Sequence, residues 1–439
     1  MVGVRVKLRP HAARRSAAGK ASPALGMTNT HVKGRPPALE LAPSRRTRAR
    51  DFARAALRWL RLEAIRPAPI SRAQLMEGLK AAVAPFVVSR TLVVAATLFG
   101  ARYVPAPPGL YSNLYPPPAL APFFHWDADA YGYIAQHGYA LGSGGVAAQV
   151  LRVAWFPFYP LLIRLAGGSD WAMIIIPNVC FFAALALMYV VGIKHFDPDR
   201  ARLTLWIVAL GPAAMFFSYP YTESVFLLVT VVAFVLMESG HWLWAGVAGL
   251  AASLTRVPGV LIGAALGAEA VLGRRRAALV AIALPIAGLV TVSLIDWAQI
   301  GDPLGFVHAQ AHWIGPNRNP FYLIGSFPRS VLEGDPFRPE GIGFPVFVGF
   351  AIGALWVARR MPASYGVFAL LQVLVALKQG LYLQYFSPVP RYVSVIFPCY
   401  FAFATLLAPR KNLQLTWLLI SASIMVLNAA LSGGWRSIS

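Results

Sequence analysis

The chain has 439 residues, 57% of them hydrophobic and 13% charged, with a mean hydropathy of +0.59. An ordinary soluble domain is about 45–50% apolar and about 25% charged, so that class is excluded. The formal charge of +22 is concentrated at one end: residues 1–80 hold 18 Lys/Arg against 4 Asp/Glu, and the other 359 residues hold 21 against 13. That distribution argues against a nucleic-acid-binding domain, which would need a basic folded surface.

Residues 1–75 are rich in Arg, Ala and Pro and cannot bury a core, so a disordered basic tail is expected. Such a segment stays in the cytoplasm and rests on anionic lipid. Met76 opens MEGLKAAVAPFVVSR directly before the first apolar block and offers an alternative start, which would leave residues 1–75 unmade. From there the apolar residues come in blocks of the length a bilayer demands, about 20 per helix. Spans are expected near 81–103, 169–193, 203–218, 221–238, 241–254, 258–272, 278–298, 343–358, 364–383, 392–408 and 413–431, an all-α polytopic membrane protein of about eleven helices. WFPFYPLLIRLA, residues 155–166, is too short and too rich in proline and aromatics for a span, and reads as an interfacial or re-entrant piece.

With the tail inside, counting spans sends Lys194/Arg200/Arg202, Arg274–Arg276, Arg359-Arg360 and Arg410-Lys411 to the cytoplasmic side, as the positive-inside rule asks. If 241–254 and 258–272 were one kinked helix, the later clusters would land outside, which argues for two helices. The same count places 104–168, 218–222, 255–257, 299–342, 384–391 and the C-terminus outside. No tandem or inverted repeat is visible. Cys180 and Cys399 both fall in apolar blocks and read as packing residues, so neither a disulfide framework nor a zinc site is available.

The first outside loop, 104–168, contains HWDADAYGYIAQHGY, His125 to Tyr139. Its middle reads as a short amphipathic helix starting near Asp127 or Asp129, with Tyr131, Ile134, Ala135 and Tyr139 toward one face. Either aspartate could simply cap that helix. Two carboxylates beside Trp126 and three tyrosines also suit a site that stacks a sugar ring and moves a proton. His125, Asp127, Asp129 and His137 could be metal ligands, although their spacing fits no standard zinc or calcium pattern. The same face receives Glu223 in SYPYTES, Arg256 in SLTRVPG, His308, His312 and Arg318 in HAQAHWIGPNRNP, and Arg391 in SPVPRY. Ionisable residues at span ends can be interfacial anchors; those nearer the apolar region are functional candidates, because burying them unpaired costs several kcal/mol. Carboxylates with two or three arginines on one face are what transfer of a group from a lipid phosphate needs. A carboxylate takes the proton of the acceptor hydroxyl, and arginines hold the leaving phosphate.

WDADAYGYIAQHGY followed by AWFPFYPLLIR resembles the first lumenal loop of PIG-V-type mannosyltransferases. ALGPAAMFFSYPYTESVFLLVT, residues 209–230, is similar to that family's next signature, SLTRVPG to its third, and PRYVSVIFP, residues 390–398, to a looser last one. The motifs run from 125 to 398 in the family's order. The resemblance implies a GT-C membrane fold for residues 76–439 with 104–168 as the catalytic loop. It also implies inverting transfer of mannose, or a related hexose, from a polyprenyl-phosphate donor to a glycolipid or envelope acceptor at the extracytoplasmic face. No cofactor and no obligatory metal are implied. The family's catalytic acid falls in the WD motif, here Asp127, with Asp129 a helper or a cap; Trp126, Tyr131, His137, Tyr139, Glu223, Arg256 and Arg391 are the residues expected to bind donor and substrate. Two departures stand out: the tail 1–75 has no family counterpart, and Gly211 occupies a position that is often Asn in eukaryotic members. The composition points to a GC-rich bacterial genome, hence to a plasma-membrane location and an acceptor other than the eukaryotic glycolipid. A transporter of lipid-linked sugars would share the hydropathy and the arginines, but its ionisable residues would line a path near the midplane. A membrane scaffold would leave the WD loop unexplained.

Overall fold

Backbone N–H and C=O groups that cannot reach water must be satisfied within the chain, and here the apolar blocks do so as helices. The computed structural model describes residues 60–105, 119–139, 150–313, 340–383 and 388–434, all of them within one unit, Ala53–Ser439. Among the described residues every regular element is helical. Six helices are long and apolar enough to cross a membrane. They are α1 (Arg72–Tyr103), α4 (Asp170–His195), α9 (Arg276–Ile300), α10 (Glu340–Arg360), α11 (Ala363–Leu383) and α13 (Lys411–Gly433). Between them lie α2 (Asp127–His137), α3 (Phe158–Leu165), α5 (Pro198–Ala209), α6 (Glu223–Glu238), α7 (Trp242–Ser253), α8 (Leu261–Leu272) and α12 (Phe397–Leu407). The chain is therefore an integral membrane protein with an all-helical fold.

Most expected spans coincide with a helix. The two short blocks at 241–254 and 258–272 are indeed separate, because Arg256 is extended and a 3-10 turn, Val257–Val260, intervenes. The expected span at 203–218 is corrected: α5 starts at Pro198 and stops at Ala209, where Gly211 and Pro212 end it. Residues 210–222 are not α-helical, apart from a 3-10 turn at Ala214–Phe217. The expected span at 392–408 likewise shortens to α12, preceded by a short helix, Val389–Val393. Cys180 and Cys399 are free thiols, Cys399 buried and Cys180 half-buried.

Packing is tightest where glycine lets backbones meet. At the crossing of α1 and α13 a side chain on Gly100 would meet the Ala430 carbonyl oxygen at 1.8 Å, and one on Gly433 would meet that of Thr97 at 2.1 Å. Small residues at such crossings are what hold helices together in lipid.

The boundary of the N-terminal tail is also corrected. Residues 60–71 are not loose: they run as an extended strap over one end of the bundle. Ile65, 1% exposed, donates its N–H to both carboxylate oxygens of buried Glu269 (3.1 and 3.0 Å). Ala68 N–H bonds the Glu238 carbonyl, Lys194 Nζ donates to the Ala68 carbonyl, and Ala363 N–H bonds the Glu63 carbonyl. The Arg61 guanidinium reaches the Arg360 carbonyl at 2.6 Å. Beneath the strap the Glu238 carboxylate accepts from His195 at 2.7 Å and from the Tyr365 hydroxyl at 2.9 Å. The expectation of disorder for residues 1–59 lies outside the described residues. Because α6 begins at Glu223 and ends at Glu238, the strap covers the end of the bundle opposite Glu223.

Candidate functional site

At the other end, four charged side chains from four distant motifs meet. Each is put there by a local break in helical structure. Arg256 follows the end of α7, and the turn after it folds back onto that helix; a Cβ on Gly259 would lie 2.2 Å from Ala252, so only glycine fits. Glu223 is the first residue of α6. Arg391 lies in the short helix Val389–Val393, which starts with Pro388 at its cap and Pro390 in its first turn. Asp127 is the first residue of α2.

The cluster is centred on Glu223, wholly buried. Its Oε1 accepts from Arg256 Nη1 at 2.6 Å and from Arg391 Nε at 2.5 Å. Arg391 then reaches Asp127 Oδ2 through Nη2 at 2.7 Å. A buried carboxylate is tolerable only when paired in this manner. Aromatic faces fix the arginines further: Arg391 lies 4.5 Å from the Tyr221 ring centroid and 5.1 Å from that of Phe216, and Arg256 lies 5.6 Å from that of Tyr392. Planar guanidinium groups stack on such faces. Two carboxylates against two guanidinium groups leave the cluster neutral. Asp127 keeps 25% side-chain exposure against 0% for Glu223, so Asp127 is the more accessible of the two carboxylates.

The head of α2 corrects the capping alternative. The cap position belongs to Trp126, with no side-chain cap bond, and Asp127 and Asp129 are the first and third helical residues. Their charges suit the positive end of the helix. Trp126 has φ 48° and ψ −107°, a conformation that L residues rarely adopt. Such a backbone costs about 1–3 kcal/mol and persists where the surroundings over-determine it, commonly at functional sites. Behind it, Tyr221 donates its hydroxyl to the His125 carbonyl at 3.0 Å.

The expected inner face of α2 forms as read: Tyr131, Ile134 and Ala135 are buried. Tyr131 packs edge-on against Tyr159 and its hydroxyl lies 3.4 Å from that of Thr222. Burial, with the Asp127 carboxylate adding to it, pushes the Tyr131 phenol well up, so it stays protonated. Burial pushes His125 down to about 4; its Nε2 lies 2.7 Å from the Pro122 carbonyl oxygen. His125 is thus a neutral packing residue. His137 stacks on Tyr133 at the exposed end of α2, and Tyr139 donates its hydroxyl to the Trp155 carbonyl at 2.6 Å. Both are engaged away from the ion pairs. His308 pairs with Asp302 at 2.6 Å on an exposed turn; hydrogen bonding to His308 holds the Asp302 carboxyl below its ordinary range. The His312 side chain and Arg318 lie outside the described residues. Among the described residues no three His, Cys, Asp or Glu side chains are grouped to hold a metal ion.

Phe216, Thr222 and Tyr392, which surround the cluster, were not singled out in the sequence. Nor was Arg90, buried in α1. An arginine inside an apolar block is itself a signal, and the block's length outweighed it.

The sequence matches no family model and no curated protein sequence. Among solved structures, the oligosaccharyltransferase of Archaeoglobus fulgidus, crystallised with zinc and sulfate, is similar with a TM-score of 0.39 at 12% identity. The match covers 79% of this chain and 53% of that one, so the chain spans about half the length of that protein.

Proposed function

We propose that the chain is a glycosyltransferase of the membrane, moving mannose or a related hexose from a polyprenyl-phosphate donor to a glycolipid or envelope acceptor. The observation that carries this reading is the ion-pair chain Asp127–Arg391–Glu223–Arg256, which joins the WD motif to the three later motifs that resemble PIG-V-type enzymes. Asp127 is the general base. Arg391 occupies Oδ2, and Oδ1 has no partner among the described residues, so Oδ1 is the atom that accepts the proton of the acceptor hydroxyl. The hydroxyl oxygen attacks the anomeric carbon as the bond from that carbon to the phosphate oxygen breaks, with inversion. The polyprenyl phosphate departs with the bonding pair, and N–H groups of Arg256 and Arg391 not used on carboxylates neutralise it. Two guanidinium groups thus do the work that a divalent cation does for a departing diphosphate, and no cofactor is called for. Glu223 acts one step back, anchoring both arginines through one oxygen. Asp129 helps orient Asp127, while Trp126 and Tyr131 provide aromatic surface beside it.

In this reading the site faces away from the cytoplasm, in a bacterial plasma membrane, and the strap covers the cytoplasmic end. The test is direct. Purified full-length protein is incubated with polyprenyl-phosphate mannose and membrane lipid extract, and mass spectrometry looks for a hexose gained by a lipid. Hexose transfer by the wild type and none by Asp127→Asn is the expected result. Movement of intact lipid-linked sugar across vesicles, without transfer, would replace this reading with transport.

A further inference from the structure

The motif ALGPAAMFFSYPYTES holds more than Glu223. Residues 210–222 interrupt the bundle between α5 and α6, and a non-helical backbone at that depth exposes carbonyls that other groups must satisfy. Three polar side chains from three other helices do so. Asn428 of α13 donates to the Pro212 carbonyl at 3.2 Å, Arg90 of α1 to Ala214 at 3.1 Å, and Asn178 of α4 to Ser218 at 3.1 Å.

Two of these are neutral amides, adequate for the purpose. The third is a guanidinium, 7% exposed, whose Nε and Nη1 have no partner among the described residues. A desolvated charge with one hydrogen bond is a poor choice for stability alone, and in a membrane protein it marks function by default. Its geometry says which function. The Arg90 guanidinium lies 4.5 Å from the Phe181 ring centroid, and Phe181 stacks on Phe217 at 4.7 Å with an interplanar angle of 10°. Arg90 therefore holds the Ala214–Phe217 turn twice, by its first carbonyl and through its last ring. Between these two points sits Phe216, one of the faces on which Arg391 lies.

We propose that Arg90 is a positioning residue for the reaction. By fixing the Ala214–Phe217 turn it sets the plane of Arg391, and so the place of Asp127, without touching either substrate. A charged donor is used because its bond to a carbonyl is about twice as strong as a neutral one, and a planar one because it must also stack. The inference rests on the glycosyltransferase reading above.

The experiment uses the full chain in lipid nanodiscs, with Arg90→Met and Arg90→Lys. Displacement of a reacting group by about 1 Å costs roughly 10²-fold in rate. For R90M the expected result is therefore a fall in turnover on that order, with the Kd for polyprenyl phosphate unchanged within about threefold. R90K keeps the charge but not the plane, and recovers part of the turnover. Amide hydrogen exchange in residues 211–222 rises in R90M while that of α4 does not. Wild-type turnover in R90M, or unchanged exchange in 211–222, would overturn the positioning role. If R90M fails to accumulate, R90K decides: turnover equal to wild type overturns the role, and reduced turnover with unchanged binding supports it. Absence of transfer by the wild type would instead overturn the reading of the reaction, and the exchange measurement would still report on the turn.

Discussion

Asp127 and Glu223 share an arginine, but only Glu223 is wholly buried, and their substitutions should fail differently. Asp127→Asn keeps size and hydrogen-bonding capacity and removes the base. A general base contributes about 10²–10⁴-fold, so residual transfer should be at or below roughly one per cent, with the amount of folded protein unchanged. Asp129→Asn, two positions further along the first turn of α2, should retain most of the activity; a dead Asp129 variant beside an active Asp127 variant would move the base by two positions. Glu223→Gln should act on stability. It leaves Arg256 and Arg391 short of a counter-charge inside the bundle, and breaking a buried pair costs about 3–5 kcal/mol. Thermal unfolding in detergent should show a clear drop for Glu223→Gln and little change for Asp127→Asn. Equal melting temperatures would mean that Glu223 is not the centre of the cluster.

At the scale of elements, the strap and the break are the two features that hydropathy underestimates. Removing residues 1–59 should leave membrane insertion and transfer intact. Removing residues 1–70 takes away the N–H that both Glu269 oxygens accept and the bond to the Glu238 carbonyl. An unsatisfied buried group costs about 1–3 kcal/mol, more when charged, so the longer deletion should melt earlier and lose activity with it. Comparing the two truncations by size-exclusion chromatography and thermal shift checks this; equal behaviour would show that the strap is dispensable. The break at 210–222 looks like span in a hydropathy profile because its residues are mostly apolar. Only the loss of α-helix after Ala209 shows that PAAMFFSYPYT is a device for delivering Glu223 and two aromatic faces.

For the molecule as a whole, the ion-pair cluster and the strap occupy opposite ends. Lys194, Arg275 and the Arg360 carbonyl all lie at the strap end: Lys194 and Arg360 bond the strap itself, and Arg275 sits over Trp242 at the start of α7. On the positive-inside rule we propose that this end is the cytoplasmic one. A reporter fused after Arg276 should therefore read cytoplasmic and one fused after Gly301 external. Both reading on the same side would refute the separation of faces and return α9 to a non-spanning role.

Several things were legible in the sequence without help. Apolar blocks of bilayer length dictated helices, because no other structure satisfies the backbone in lipid. Basic clusters gave an expected sidedness, and the WD loop, Glu223, Arg256 and Arg391 stood out as polar residues where polarity is costly. Tertiary structure alone decided how those four pair, since side chains 33, 168 and more positions apart meet only when the breaks in α5–α8 and before α12 turn toward one another. It also decided that Trp126 rather than an aspartate occupies the head of α2, and that residues 60–71 belong to the bundle. It decided, finally, that Arg90 has one carbonyl to bond. Hydropathy sums a residue's preference for lipid over a window; which buried carbonyl or carboxylate awaits a polar side chain is a property of its neighbours in space.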